Sequence, residues 1–293
     1  MGSIAESLCD QIILTNDNPR FENPKVIIED ILEGIKEIEL NGEKIKYKNQ
    51  NKWVTSSLSI TMRTPKNDED LITGLLFCEG IINKKSEIEK IEFLGDKVGK
   101  FKIQNKIQIT LNNGENLDIK HLRRNFLTNS SCGVCGKTSM DSLEIICKTK
   151  INKEYPKIKS SLITEVPNIL RQNQSEFSKT GGIHASALFN SSGEPLVIRE
   201  DVGRHNALDK VIGHSFKNSI FDTKNQFIAC SGRLSFELVQ KSLMANIGLL
   251  MGVGAPTSLA IDLAKRSDMT LIGFVKSDSF NIYCGENRIL KTN

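Results

Sequence analysis

Phe227-Ile228-Ala229-Cys230-Ser231-Gly232-Arg233 decides how this chain folds. Four successive apolar residues read as a buried strand, and Ser-Gly-Arg stops it. Phe236, Val239, Leu243 and Ile247 then recur at the three-to-four spacing that turns one face of a helix inward. The unit repeats downstream, where Leu249 to Val253 gives way to Gly254-Ala255-Pro256-Thr257, a helix to Lys265 and a strand from Leu271 to Val275. Strands alternating with helices predict parallel pairing and helices layered on both faces of one sheet, an α/β domain.

Upstream, Thr180-Gly181-Gly182 leads into Ile183-His184-Ala185-Ser186-Ala187-Leu188-Phe189, a strand of small and apolar residues. Asn190 to Gly193 reads as a turn, Pro195 to Ile198 as a returning strand, and Asp201 to Lys210 as a loop entering a helix. Pro167 suits the first turn of a helix running toward Phe177. Thr138 to Cys147 fits another helix, followed by a charged connector broken at Pro156.

The first half reads differently. Residues 1–24 are polar and aperiodic, the pattern of a loosely held arm. Ile38 and Leu40, Asn41-Gly42, then Ile45 and Tyr47 carry a hairpin signal, and Leu58, Ile60 and Met62 alternate until Thr64-Pro65. A helix is expected from Asn67 or Asp68 to Gly80, with Leu71, Ile72, Leu75 and Leu76 in one stripe. Alternation returns at Phe101, Ile103, Ile107, Ile109 and Leu111. We therefore divide the chain into an arm (1–24), a β-rich roll with one packed helix (25–125) and an α/β domain (126–293).

A chain of 293 residues with 39% hydrophobic residues can bury a substantial core. A formal charge of +4 and a single tryptophan argue against a nucleic-acid binder, and no apolar run approaches the ~20 residues of a membrane span. Seven scattered cysteines, with no secretory apolar region after Met1-Gly2-Ser3-Ile4-Ala5-Glu6, point to free thiols in a reducing cytoplasm.

Chemistry is expected at Ser130-Ser131-Cys132-Gly133-Val134-Cys135-Gly136-Lys137. Small residues leave both sulfurs uncovered, while Lys137 and a helix beginning near Thr138 favour thiolate. The rival reading is half of a structural zinc site, although Cys9, Cys78, Cys147, Cys230 and Cys284 lie singly and supply no second pair. Ligands of such sheets bind beyond the carboxyl ends of the strands. Three glycine-bearing turns fall there: Glu200 to Asn206, Ser231-Gly232-Arg233 and Gly254 to Thr257. Each alone is compatible with a tight turn. Together, with Arg204 and Arg233, they suggest an anionic, nucleotide-like ligand. His205 sits at a mouth between Arg204 and Asn206, whereas His184 reads as hydrogen-bonded scaffold.

These residues carry a resemblance. Ser131-Cys132-Gly133-Val134-Cys135-Gly136, Thr180-Gly181-Gly182-Ile183-His184-Ala185, the run from Glu200 to Lys210 and Ser231-Gly232-Arg233 stand in the order seen in the FdhD family of formate dehydrogenase accessory sulfurtransferases. The resemblance runs from about Arg63-Thr64-Pro65 to Tyr283. It implies a cytoplasmic homodimer with a cytidine deaminase-like three-layer α/β/α domain beside the smaller β-rich roll. Its implied task is to pass sulfur from a cysteine desulfurase to the molybdenum cofactor of formate dehydrogenase, a bis-molybdopterin guanine dinucleotide that GDP can mimic.

The family's persulfide cysteine maps onto Cys132, with Cys135 beside it, and its cofactor segment onto Phe274-Val275-Lys276-Ser277-Asp278-Ser279. Gly181, Gly182, Gly203, Arg204, His205, Asn206, Ser231, Gly232 and Arg233 are expected to complete the cofactor site. The chain departs from the family by carrying Lys276 and Ser279 where arginines are usual, and Lys66 where glycine commonly follows Arg-Thr-Pro. A zinc deaminase needs a glutamate two residues after its first ligand and a later thiol pair. His205-Asn206-Ala207 and Cys230-Ser231-Gly232-Arg233 offer neither, so no metal of its own is expected. Two other readings remain: a cofactor chaperone that never touches sulfur, and a structural zinc protein.

Overall fold

The computed structural model describes residues 43–49, 52–59, 61–98, 102–112 and 151–291. The expected arm, the Asn41-Gly42 turn, the Cys132/Cys135 loop and the expected boundary near 125 lie outside the described residues.

The first part is built of β1 (Glu43–Asn49), β2 (Lys52–Ser59), α1 (Asp68–Cys78), β3 (Ile88–Val98) and β4 (Ile103–Leu111). They form a four-stranded sheet in the order β2-β1-β4-β3, with β1 and β4 parallel and both outer pairs antiparallel. Ile45, Ile107, Ile109 and Leu111 point to one face, where Ile72 and Leu76 of α1 cover them. β2 ends at Ser59, short of the expected stop at Pro65, and residues 61–64 run on without regular structure.

The second part contains β5 (Ile158–Lys159), α2 (Ser160–Gln172), α3 (Ser175–Thr180), β6 (His184–Asn190), β7 (Pro195–Asp201) and α4 (Arg204–Lys217). These are followed by β8 (Gln226–Cys230), α5 (Phe236–Met244), β9 (Leu249–Gly252), α6 (Ser258–Arg266), β10 (Thr270–Gly273), β11 (Asn281–Cys284) and β12 (Ile289–Leu290). The six-stranded sheet runs β11-β10-β9-β8-β6-β7. Its centre, β8-β9-β10, is parallel as expected, but β6, β7 and β11 pair antiparallel. For β6 and β7 the reason is local: Asn190 to Gly193 is a tight turn, which joins only antiparallel neighbours, in line with the return expected at Pro195 to Ile198.

Alternate residues of the central strands feed two cores. Ile228, Cys230, Leu250 and Leu271 enter the core under α4, α5 and α6, while Phe227, Ala229, Leu249, Met251 and Ile272 enter the one under α2. That two-sided burial is why Phe227 to Cys230 is uninterruptedly apolar. It also makes the domain three layers, helix on sheet on helix. Pro167 lies inside α2 rather than in its first turn. A proline there removes an intrahelical hydrogen bond, but Ile163, Val166 and Leu170 form a fully buried stripe spanning it, and their burial prevails.

α1 belongs to both parts. A Cβ on Gly74 would lie 1.9 Å from the Asp209 carbonyl oxygen, and one on Gly213 1.9 Å from that of Asp70. The backbones of α1 and α4 therefore touch at a glycine-on-glycine crossing. Ion pairs close the seam beside it: Asp70 accepts from Arg199 at 3.0 Å and from Lys217 at 3.3 Å. Among the described residues, no helix is long and apolar enough to cross a membrane.

Candidate functional site

The carboxyl ends of β8, β9 and β10 carry three turns that are bonded to one another. Gly254 N donates to Gly232 O at 3.1 Å and Leu234 N to Ala255 O at 3.0 Å, while Phe274 N donates to Gly254 O at 3.2 Å. Val275 N donates to Gly252 O, and its buried side chain anchors the segment that follows. A Cβ at residue 254 would meet Arg233 N at 2.8 Å, so glycine is required for the first two turns to stack. Because β6 runs antiparallel to β8, its first residues reach the same rim. Ser231 Oγ accepts from Ala185 N at 2.8 Å, and Ser231 N donates to Ala185 O at 2.9 Å.

The run from Glu200 to Lys210 enters from the side, and most of it is scaffold. The Glu200 carboxylate accepts from Glu176 N at 2.9 Å and Phe177 N at 2.8 Å, holding the start of α3. That short helix ends at Gly181, left-handed at φ 67, which with Gly182 turns the chain into β6. Asp201 and Lys210 are completely buried and paired at 2.6 Å. Asp201 also accepts from Thr64 N at 3.1 Å, Gly203 N at 2.9 Å and Asn206 Nδ2 at 2.9 Å. Lys210 Nζ donates to Thr64 O at 2.8 Å, and Asn206 Nδ2 to Met62 O at 2.8 Å. The strap 62–64 is thus riveted to the start of α4. Asp209, further along the helix, accepts from Lys241 of α5 at 2.7 and 2.9 Å and also meets the buried Cys78 thiol of α1.

Two residues of the run are left for the mouth. Arg204 makes no ion pair or side-chain hydrogen bond among the described residues, and its buried Nε has no partner. Burial and the facing Arg233 guanidinium both pull its pKa down, while Glu237 pulls the other way. Arg233 is likewise without a side-chain partner among the described residues. His205 is oriented through one ring nitrogen, Nε2, which lies 2.9 Å from Ser235 Oγ and 2.9 Å from Glu237 Oε2.

His184, read from sequence as hydrogen-bonded scaffold, has no hydrogen bond from its ring among the described residues and belongs to this cluster. A Cβ at residue 232 would fall 2.9 Å from its Nδ1, so the ring sits directly over Gly232. Burial, then Arg204, His205 and Arg233, push its pKa below the usual histidine value, with Asp201 opposing. The signal available in sequence was topological: a strand antiparallel to β8 must begin beside Ser231-Gly232-Arg233.

The last expected segment stands at the same edge. Phe274 is exposed and left-handed at φ 51, and Lys276 N donates to Ser279 O at 2.8 Å to close a small turn. Lys276, Ser277, Asp278 and Ser279 are all exposed. Cys230, by contrast, is sealed beneath the rim, 3.4 Å from Ser186 Oγ, and burial pushes its thiol up to about 11. A separate cleft of roughly 310 Å³ is lined by Lys66, Asn67, Asp68, Glu69, Asp70, Phe93 and Lys217. None of the expected site residues lines it. Lys66 is left-handed at φ 85, a backbone conformation that favours glycine.

The rim therefore presents two guanidiniums without an ion pair among the described residues and an imidazole beside a glycine, with backbone turns locked behind them. Such an arrangement binds anions, because guanidinium forks match phosphate oxygens and unpaired charge in a half-buried site lacks a counterion.

The model of the FdhD/NarQ family matches residues 47–290. The "Sulfur carrier protein FdhD" of Streptomyces avermitilis is 42% identical over 79% of this chain and 83% of its own. The protein of that name from Corynebacterium efficiens is 37% identical over 98% of this chain and 99% of its own. In fold, the chain is similar to a protein from Desulfotalea psychrophila described as a formate dehydrogenase accessory protein. The two share a TM-score of 0.59 and 24% identity, covering 84% of this chain and 89% of that one.

Proposed function

Because the chain belongs to the FdhD/NarQ family, we propose that it carries sulfur on Cys132 from a cysteine desulfurase to the molybdenum cofactor destined for formate dehydrogenase. The names of its relatives support the sulfur-carrying part of this reading. Its own residues support the cargo part. The observation that carries it is the pair Arg204 and Arg233, neither matched by a carboxylate ion pair among the described residues, with the buried Arg204 Nε lacking a partner. A bis-molybdopterin guanine dinucleotide brings two diphosphates, and such groups supply the missing counterions.

In the first step the Cys132 thiolate attacks the outer sulfur of the donor persulfide. A new S–S bond forms as the old one breaks, and the donor cysteine leaves as thiolate. Cys132 then holds a persulfide whose outer, zero-valent sulfur would pass to the cargo while Cys132 leaves as thiolate; arriving as sulfide, that sulfur takes up two electrons, which a reduced metal of the cargo would supply. The rim does the holding. Arg204 and Arg233 fix the diphosphates, Gly232 allows close approach, and the turn from Phe274 to Ser279 borders the nucleotide. With Lys276 and Ser279 replacing two arginines, the burden of anion binding shifts toward Arg204 and Arg233 in this chain. Cys135, three residues further along the sequence, shares or resolves the persulfide. The protein works as a homodimer in the cytoplasm.

The decisive experiment incubates the protein with a cysteine desulfurase and cysteine, then maps the sulfur adduct by mass spectrometry. The adduct is expected on Cys132 and is expected to vanish in Cys132→Ala, together with activation of formate dehydrogenase. A Cys132→Ala protein that still gains sulfur and still activates the enzyme would refute the relay.

A further inference from the structure

The cluster at the mouth holds an imidazole, His184, set beside the permanently charged guanidiniums of Arg204 and Arg233. His184 opens β6 opposite Asp201 of β7 and lies over Gly232. The charged and titratable groups around it are Arg204 and His205 from α4, Arg233 from the turn after β8, and Asp201 from the end of β7. Asp201 is already committed to Lys210, to two backbone amides and to Asn206, so it cannot serve as a private counterion for the imidazole. His205 is tied through Nε2 to Ser235 and Glu237, whereas the ring of His184 has no tie among the described residues.

Resting on the reading of this rim as a diphosphate site, we propose that His184 is its proton-coupled member, taking up a proton as a nucleotide diphosphate settles between Arg204 and Arg233. In the empty site, burial and two guanidiniums favour the neutral ring. A bound diphosphate reverses the sign of the local field and makes imidazolium a fifth-wheel no longer: it becomes a third donor to the phosphate oxygens. The sign follows. Between the His184 pKa of the empty site and the higher value of the filled one, the complex carries one proton more than the free protein, so affinity rises as pH falls. Above both values the coupling disappears. Release of the ligand returns the proton, which makes discharge of the cargo sensitive to local pH.

The probe is GDP, titrated calorimetrically into the full-length protein between about pH 6 and pH 8, in buffers of different ionisation heat so that protons can be counted. Wild-type protein is expected to take up more protons than His184→Gln, and its affinity to fall by up to about tenfold per pH unit through the coupled window. His184→Gln should bind with a flatter profile, and Arg204→Gln weakly at every pH. Nitrogen spectra of the wild-type imidazoles give the same answer without a variant, since His184 should turn from neutral to imidazolium on adding GDP. GDP bound tightly with His184 still neutral, or with an unchanged pH slope in His184→Gln, overturns the histidine's role alone. A wild-type protein that binds neither GDP nor inorganic diphosphate overturns the diphosphate site as well.

Discussion

Replacing Lys210 with methionine would strand a carboxylate. Asp201 and Lys210 are both completely buried, their side chains meet at 2.6 Å, and Lys210 Nζ also serves the Thr64 carbonyl at 2.8 Å. Breaking such a pair by removing one partner costs about 3–5 kcal/mol, because the remaining charge stays in the interior. Asp201 keeps three N–H donors, from Thr64, Gly203 and Asn206, which places the expected loss near the lower end, about 3 kcal/mol. Urea unfolding followed by circular dichroism should show the midpoint falling by ~1 M or more at unchanged slope. The double variant Asp201→Asn, Lys210→Met leaves no unpaired charge and should lose less than Lys210→Met alone. A loss below ~1 kcal/mol in the single variant, or a double variant as unstable as the sum of both singles, would show that the pair does not hold the strap to α4.

Lys66→Gly should stabilise the protein by about 0.5–1 kcal/mol, since a left-handed lysine costs more than glycine's extra freedom in the unfolded chain. The long, exposed contact of Lys66 with Glu176 at 3.8 Å adds little to lose. A lower melting temperature in the variant would contradict this. Cys230 supplies a pH test. Its thiol titrates at about 11 in the folded protein against 9.0 when unperturbed. Below the unperturbed value both states are protonated and nothing changes. As pH rises beyond it the unfolded thiol ionises first, so stability falls by up to about 1.4 kcal/mol per pH unit until the folded thiol follows. Cys230→Ala should therefore show a shallower decline in urea stability over that alkaline range, and an identical slope would disprove the assignment.

The α/β centre was legible because Phe227 to Cys230, Leu249 to Gly252 and Thr270 to Gly273 are two-sided strands and each ends at a glycine-bearing turn. Arg204, Arg233 and the turns of the rim could be placed for the same reason, since parallel strands deliver their ends to one edge. Pairing direction was harder. The antiparallel β6 depends on the four-residue turn after Phe189, a local geometry that overrides the alternation of strands and helices. The place of His184 beside Arg204 and Arg233 was not legible, because these neighbours come from 20 and 49 residues away and no pattern of spacing reports which long-range strands share an edge. Pro167 misled through a real local preference that the Ile163, Val166, Leu170 stripe outweighs. β3, whose Glu and Lys residues mask its alternation, was not anticipated at all.

The glycine contact between α1 and α4 has a consequence for dissection of the molecule. Gly74 and Gly213 leave no room for even a methyl group between the two backbones, and α1 turns its other side to the first sheet. Cutting the chain between the two parts would strip α4 of the neighbour that shields its carbonyls and would uncover Cys78, which packs into the α/β core. Fragments of the α/β half, however well their boundaries are chosen by eye, should thus be expressed with α1 retained. Shuffling of the halves among relatives must likewise carry both glycines together, because neither tolerates a partner with a side chain.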